Sequence, residues 1–159
     1  MDYLKYALEK QEINPNIEIF GGVGIEQIND AEKKLGILFP SQYKAFLLGC
    51  GSCGIADTYV SGLFKEWDNL TSTGSIVHDT IEAREKHNLP NEYIVIEYMV
   101  DENYYVLKTS GNDSIEDGEI YSIDINSDGS LSSFCKIFDS FVNYFKFVLE
   151  RLRDRKSVV

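Results

Sequence analysis

The segment from Ala31 to Gly54, AEKKLGILFPSQYKAFLLGCGSCG, constrains the fold more than any other stretch of this chain. It reads as helix, stop, helix and glycine-rich turn. Leu35 closes an amphipathic run, and Gly36 behind it is the kind of residue that ends a helix. Pro40 is excluded from a helix interior but suits the start of one. Ser41 is expected to cap the next helix with its hydroxyl. Tyr43, Phe46 and Leu47 then fall at i, i+3 and i+4, which gives one apolar face. Gly49, Gly51 and Gly54 break that helix and bring the backbone into tight turns.

The flanking chain divides into a helical part and a strand part. Residues 2–11 predict a short helix, with Tyr3, Leu4, Ala7 and Leu8 on one side. Residues 14–24 contain Pro15, Gly21, Gly22 and Gly24 and are expected to be irregular. A second helix is predicted over residues 25–35 and a third over 41–49. Residues 50–70 are expected to loop outward, and a short strand could form around Tyr59 to Leu63. Thr73 or Ser75 could cap a fourth helix ending near His87, ahead of Leu89-Pro90.

The β part follows. Residues 93–100 are rich in Ile, Val and Tyr, which suit a pleated, half-buried surface. Asp101-Glu102-Asn103 turns the chain, and residues 104–109 return antiparallel. Residues 119–125 and 131–137 read as two further strands. Asp139 is expected to cap a closing helix with Phe141, Tyr144, Phe145, Val148 and Leu152 on its apolar face. Helices, then an antiparallel meander of about four to five strands, then a closing helix make an α+β arrangement. A chain of 159 residues fits a single domain, 1–159, large enough for a core.

Charge is unevenly spread. The formal net charge is −11, and residues 91–140 hold 11 acids against Lys108 and Lys136. Such a surface disfavours phosphate backbones and anionic membranes. It attracts a basic partner at long range, although acidity also simply keeps a protein soluble. Arg151, Arg153, Arg155 and Lys156 complement the C-terminal dipole of the last helix and do not by themselves indicate nucleic acid. No run of apolar residues is long enough to cross a bilayer. MDYLKYALEK lacks the apolar core of a signal peptide, so a cytoplasmic location is expected.

Motifs for chemistry are sparse. Cys50-Gly-Ser-Cys53 has C-x-x-C spacing, which a redox pair or half a zinc site could use. It follows a helix, however, and so meets the negative end of the dipole, which disfavours a thiolate. Only Cys135, His78 and His87 remain as soft ligands, without a second paired spacing. Asp124-x-Asn126-x-Asp128-Gly129 copies the first half of a calcium loop, but its twelfth position is Cys135 where a bidentate Glu is needed. It reads as a hairpin turn. No nucleophile elbow, metal-binding H-E-x-x-H or phosphate loop is present. No metal, cofactor or catalytic residue is therefore expected. A small Cys-dependent metal or redox protein is the reading that Cys50 and Cys53 alone would support.

The order Glu32, Leu35-Gly36, Phe39-Pro40, Tyr43-Lys44, Phe46-Leu47, Gly51 and Gly54 resembles the N-terminal signature of the SUKH superfamily, the Smi/Knr cell-wall-regulator-like proteins. The resemblance continues through Leu89-Pro90, YIVIEY, DGEIYSIDI and FDSFVNYF, over roughly residues 20–150. It implies the family's α+β domain. It also implies an immunity protein that binds a cognate polymorphic toxin, often a nuclease or deaminase, and blocks it without catalysis. A regulatory scaffold like the fungal cell-wall-signalling members is the alternative. That signature marks core and turn positions. Charge density instead picks out Glu97, Asp101, Glu102, Glu116 and Asp117 for a basic partner, with Trp67 and Tyr98 as aromatic anchors. Trp67, between Glu66 and Asp68, is either a lid over the core or a contact.

Overall fold

The computed structural model of the chain describes residues 1–55, 58–99 and 102–158, with only the backbone at 99 and 151–158. Five helices and seven strands follow in the order α1 (Tyr3–Ile13), β1 (Glu18–Ile19), α2 (Ile25–Leu35), α3 (Ser41–Gly49), β2 (Cys53–Ile55), β3 (Thr58–Val60), α4 (Ile76–His87), β4 (Tyr93–Met99), β5 (Asn103–Lys108), β6 (Ile120–Ile125), β7 (Leu131–Phe138) and α5 (Phe141–Val158). The α+β arrangement holds. The meander is the four-stranded antiparallel sheet β4-β5-β6-β7. A second sheet, β1-β2-β3, adds two strands in segments expected to be irregular or looped, and its β3 overlaps the short strand expected around Tyr59 to Leu63. Its strands are too short for a period-2 pattern to show, and tertiary pairing alone defines them. Glu18 faces Gly54, and Cys53 faces Val60.

Residues 31–54 fold largely as their order dictates. Gly36 ends α2 at φ +69, and its N–H donates to Glu32 O at 2.8 Å. The buried Glu32 carboxylate accepts from Phe39 N at 2.7 Å and lies 3.3 Å from Lys44 Nζ, which fixes the chain between α2 and α3. Tyr43, Phe46 and Leu47 are fully buried. Gly51 sits at φ +69, and a Cβ there would lie 2.2 Å from Gly21 O, so no other residue fits without backbone movement.

Two helix caps differ from expectation. Pro40 occupies the N-cap of α3, and Ser41 is its first helical residue. The N–H groups of Ser41 and Gln42 donate instead to Ile115 O and Glu116 O, at 2.9 and 2.8 Å, so the β5–β6 connection caps the helix. Asp139 does not cap α5. Ser140 Oγ accepts from Asn143 N, and Asp117, 24 residues upstream, accepts from Phe141 N at 2.7 Å. A loop that folds back can satisfy helix termini as a local side chain would, and nearest-neighbour sequence cannot reveal it. Ser75 caps α4, accepting from Val77 N at 3.2 Å.

The β4–β6 part of the four-stranded sheet is covered on both faces. Val95, Tyr104, Val106 and Ile123 pack with Ala83 and Leu89 beneath α4. Ile94, Ile96, Leu107 and Ile120 join Phe141, Tyr144 and Phe145 of α5 in the larger cluster. The outer edge of β4 is occupied as well. Val95 N donates to Thr80 Oγ1 at 3.0 Å, and Ile96 O accepts from Ser61 N at 2.7 Å. Covering an edge in this way removes a template for unwanted pairing.

Candidate protein-binding surfaces

The acids chosen from charge density do not share one face. Glu102 lies in the turn between β4 and β5, where its carbonyl accepts from Ile125 N at 3.1 Å. Glu116 lies in the connection between β5 and β6, beside the start of α3. The six residues of β5 separate these two ends, which is a span of about 20 Å. Both side chains are exposed. Asp101 lies outside the described residues, as do the side chains of Arg151, Arg153, Arg155 and Lys156.

Glu97 is a correction. It is buried, and its Oε1 accepts from the Tyr144 hydroxyl at 2.7 Å. A bulge in β4 explains this. Val95 pairs with Val106 and Glu97 with Tyr105, leaving Ile96 as the extra residue. Strict alternation would have sent Glu97 to the α4 face; the bulge turns it toward α5. Asp117 is also not a free surface charge. It accepts from Gly118 N, Phe141 N and Val142 N, at 2.7, 2.7 and 3.4 Å, and so serves the N-terminus of α5. Tyr98 is half-buried and stacks on Tyr104, with ring centroids 4.8 Å apart. Elsewhere on the sheet, Lys136 Nζ bridges Glu119 and Asp139 at 3.2 and 3.0 Å. The Tyr121 hydroxyl, and then Lys136, hold the Glu119 carboxyl below its ordinary range.

Trp67 has a different setting. The residue is 54 % exposed, yet its ring packs on Phe64 at 4.8 Å and Phe20 at 5.9 Å between centroids. Phe20 also meets Phe64 at 5.3 Å and Tyr59 at 5.8 Å. Sequence reading placed Phe20 in an irregular stretch and missed it. Its partners lie some 40 residues downstream, and only the β1–β2–β3 sheet brings them together.

The motifs for chemistry are tied into the fold. Cys50 and Cys53 are both buried, and the hydrogen bond with the Cys50 thiol, then burial, pushes Cys53 up, away from a reactive thiolate. Beside His78, Asp79 also accepts from the Ser61 hydroxyl at 3.0 Å. His78 lies between Asp79 and Glu82, at 3.0 and 3.3 Å. His87 Nδ1 lies 2.7 Å from Gly129 O and ties the end of α4 to the β6–β7 turn. In that turn Asp128 accepts from Ser130, as a hairpin Asx turn does. Among the described residues, no group of three or more His, Cys, Asp or Glu is placed to hold a metal. Among the same residues, no helix is long and apolar enough to cross a membrane.

A family model described as SUKH_5, SMI1-KNR4 cell-wall, matches residues 6–150. The chain belongs to the SUKH family. No curated protein matches it. In this SUKH chain the signature residues Leu35, Tyr43, Phe46 and Leu47 are buried, and Gly36 and Gly51 turn the backbone at positive φ. Gly54 lies in β2, where a Cβ would come within 2.2 Å of Thr58 O. Pro40 stands at the N-cap of α3. These residues build the scaffold, and the exposed side chains of Glu102, Glu116 and Trp67 lie outside that signature.

Proposed function

We propose that this chain is a non-enzymatic immunity protein that acts in the cytoplasm by binding and neutralising a cognate toxin protein. The observation that carries the reading is the SUKH family match over residues 6–150. The net charge of −11 supports a partner with a basic active-site face, such as a nuclease or deaminase toxin domain. An acidic protein steers quickly onto such a face and covers it. The engagement of Ser61, His78, Cys50 and Cys53 in structural contacts supports a binding role over a catalytic one. Binding function resides in surfaces placed on a fold, so family membership does not name the toxin.

The test is co-purification of this chain with the C-terminal domains of toxins encoded beside its gene, combined with growth rescue. A stable complex with restored growth is the expected result. Absence of a complex with every neighbouring toxin would overturn the reading. Charge reversal at Glu102 and Glu116 further separates the two ends of the sheet. The end that faces a basic partner lowers the association rate and flattens its salt dependence, whereas the other leaves both unchanged.

A further inference from the structure

We infer that the aromatic patch of Phe20, Phe64 and Trp67 is a docking site for a cationic segment of a protein partner, one bearing Arg or Lys beside an aliphatic or aromatic side chain. The inference rests on the binding role proposed above and names the surface that performs it.

Three observations lead to it. First, the patch leaves much of two aromatic side chains open to solvent. Trp67 is the only tryptophan of the chain, it stands in a polar loop, and it leaves 54 % of its surface open. Phe20 beside it is 36 % exposed, and Phe64 beneath both rings is 6 % exposed. A large aromatic on a closed aromatic base is the usual form of an interface anchor.

Second, the loop that carries Trp67 is held rigidly. Asn69 bonds the backbone of Phe64 twice: Oδ1 accepts from Phe64 N, and Nδ2 donates to Phe64 O, both at 3.0 Å. The amide of Gln27 on α2 donates to the same carbonyl at 2.6 Å. Asp68 Oδ1 accepts from Leu70 N at 2.9 Å, and Asp68 O accepts from the N–H groups of Thr71 and Ser72. A loop so fastened presents its ring without the ordering entropy that a mobile loop would lose on binding.

Third, the charge beside the patch selects the occupant. Glu66 and Asp68 flank Trp67, and Glu18 binds the hydroxyl of Tyr59, whose ring touches Phe20. Lys65 is the one base of this stretch. An acidic rim around an aromatic face suits a guanidinium or ammonium group, which stacks on indole and meets the carboxylates together. The same rim repels phosphate, so a nucleic acid or anionic membrane is disfavoured.

Trp67 reports on this surface directly, because no other indole contributes to the emission. The probe is a peptide of about twelve residues alternating Arg and Leu, with a Glu/Leu peptide of the same length as its counterpart. The Arg/Leu peptide is expected to shift Trp67 emission to shorter wavelength and to bind at least about tenfold more tightly than the Glu/Leu peptide. Glu66→Lys is expected to weaken it about fivefold or more, and Glu85→Lys, at an exposed acid of α4, to leave it unchanged. No response, an equal response to both peptides, or equal sensitivity to the two reversals would overturn the inference.

The neighbouring toxin domain separates this inference from the reading it rests on. Where wild-type protein binds the toxin, Trp67→Ala and Glu66→Lys are each expected to weaken the complex at least about tenfold, with thermal unfolding little changed. A complex that both variants leave intact would overturn the docking site and leave the immunity role standing. Peptide discrimination at Trp67 without any toxin complex would do the reverse.

Discussion

Phe46 and Trp67 are both large rings on short segments between turns, yet Phe46 is 0 % exposed and Trp67 54 %. Their neighbours differ in the same way. Phe46 lies against Tyr3, Tyr43, Phe141 and Phe145, drawn from three helices. Trp67 rests on Phe64 and Phe20 with its outer face in solvent. The first ring lies in the family signature and the second outside it. The comparison teaches that Phe46 is fixed by packing from three helices, whereas Trp67 keeps a face open to solvent.

The sharpest way to break this comparison is at its buried end. Phe46→Ala is expected to cost about 3–5 kcal/mol, because the cavity opens among rings from several helices that cannot all relax into it. Gly51→Ala should follow at about 2 kcal/mol or more, since the left-handed φ of +69 and the Gly21 carbonyl both oppose a side chain. Denaturant unfolding monitored by circular dichroism measures both. A loss below about 1 kcal/mol at either site would mean that the signature segment is not the stabilising half.

Alkali tests the same region without mutation. Burial and the Glu150 carboxylate push Tyr6 up to about 12, and burial, then Asp79, raises Tyr43 well above its ordinary value. An unfolded tyrosine titrates near 10. Below that value both states are protonated and these groups contribute their full stability. Above it the unfolded chain loses protons first, so stability falls from about pH 10 through the folded value of Tyr6. Tyrosinate absorbance should therefore appear together with loss of the circular dichroism signal. Titration of every tyrosine near 10 in a folded protein would contradict the buried environment.

The two regions also differ in how far sequence reveals them. Helices α2 and α3 with their Gly36 stop were legible because period, glycine and proline lie within one short window. Strands β4 to β7 were legible from β-branched and aromatic runs. What escaped was non-local. The β4 bulge that buries Glu97 depends on its register against β5. The cap that engages Asp117 is made by a helix 24 residues away. Phe20 joins Trp67 only through the small sheet. Charge density identified exposed acids such as Glu102 and Glu116, but it grouped together two residues that the fold places at opposite ends of the sheet.

A smaller effect is expected at Glu97. Tyr144→Phe removes the hydroxyl that donates to its carboxylate and keeps the ring, so about 1–3 kcal/mol of stability should be lost, the worth of a buried bond to a charged group. Thermal unfolding of the variant decides it. An unchanged midpoint would mean that this bond adds little to the stability of the fold.

The smallest effect on folding should come from Trp67→Ala, at about 1 kcal/mol or less, the scale of its two ring contacts. The sequence left Trp67 as either a lid over the core or a contact, and this variant distinguishes them. A lid would protect Phe64, so its removal would admit water to the ring and cost stability on the scale of Phe46→Ala. The exposed face of the indole and the Asn69 bonds to Phe64 argue otherwise, because Phe64 is held from its backbone whether or not Trp67 covers it. Hydrogen exchange at Phe64 N, which donates to Asn69, supplies the local measurement. Protection that survives the substitution, beside lost affinity for a cationic partner, would make Trp67 a ring maintained for binding rather than for folding.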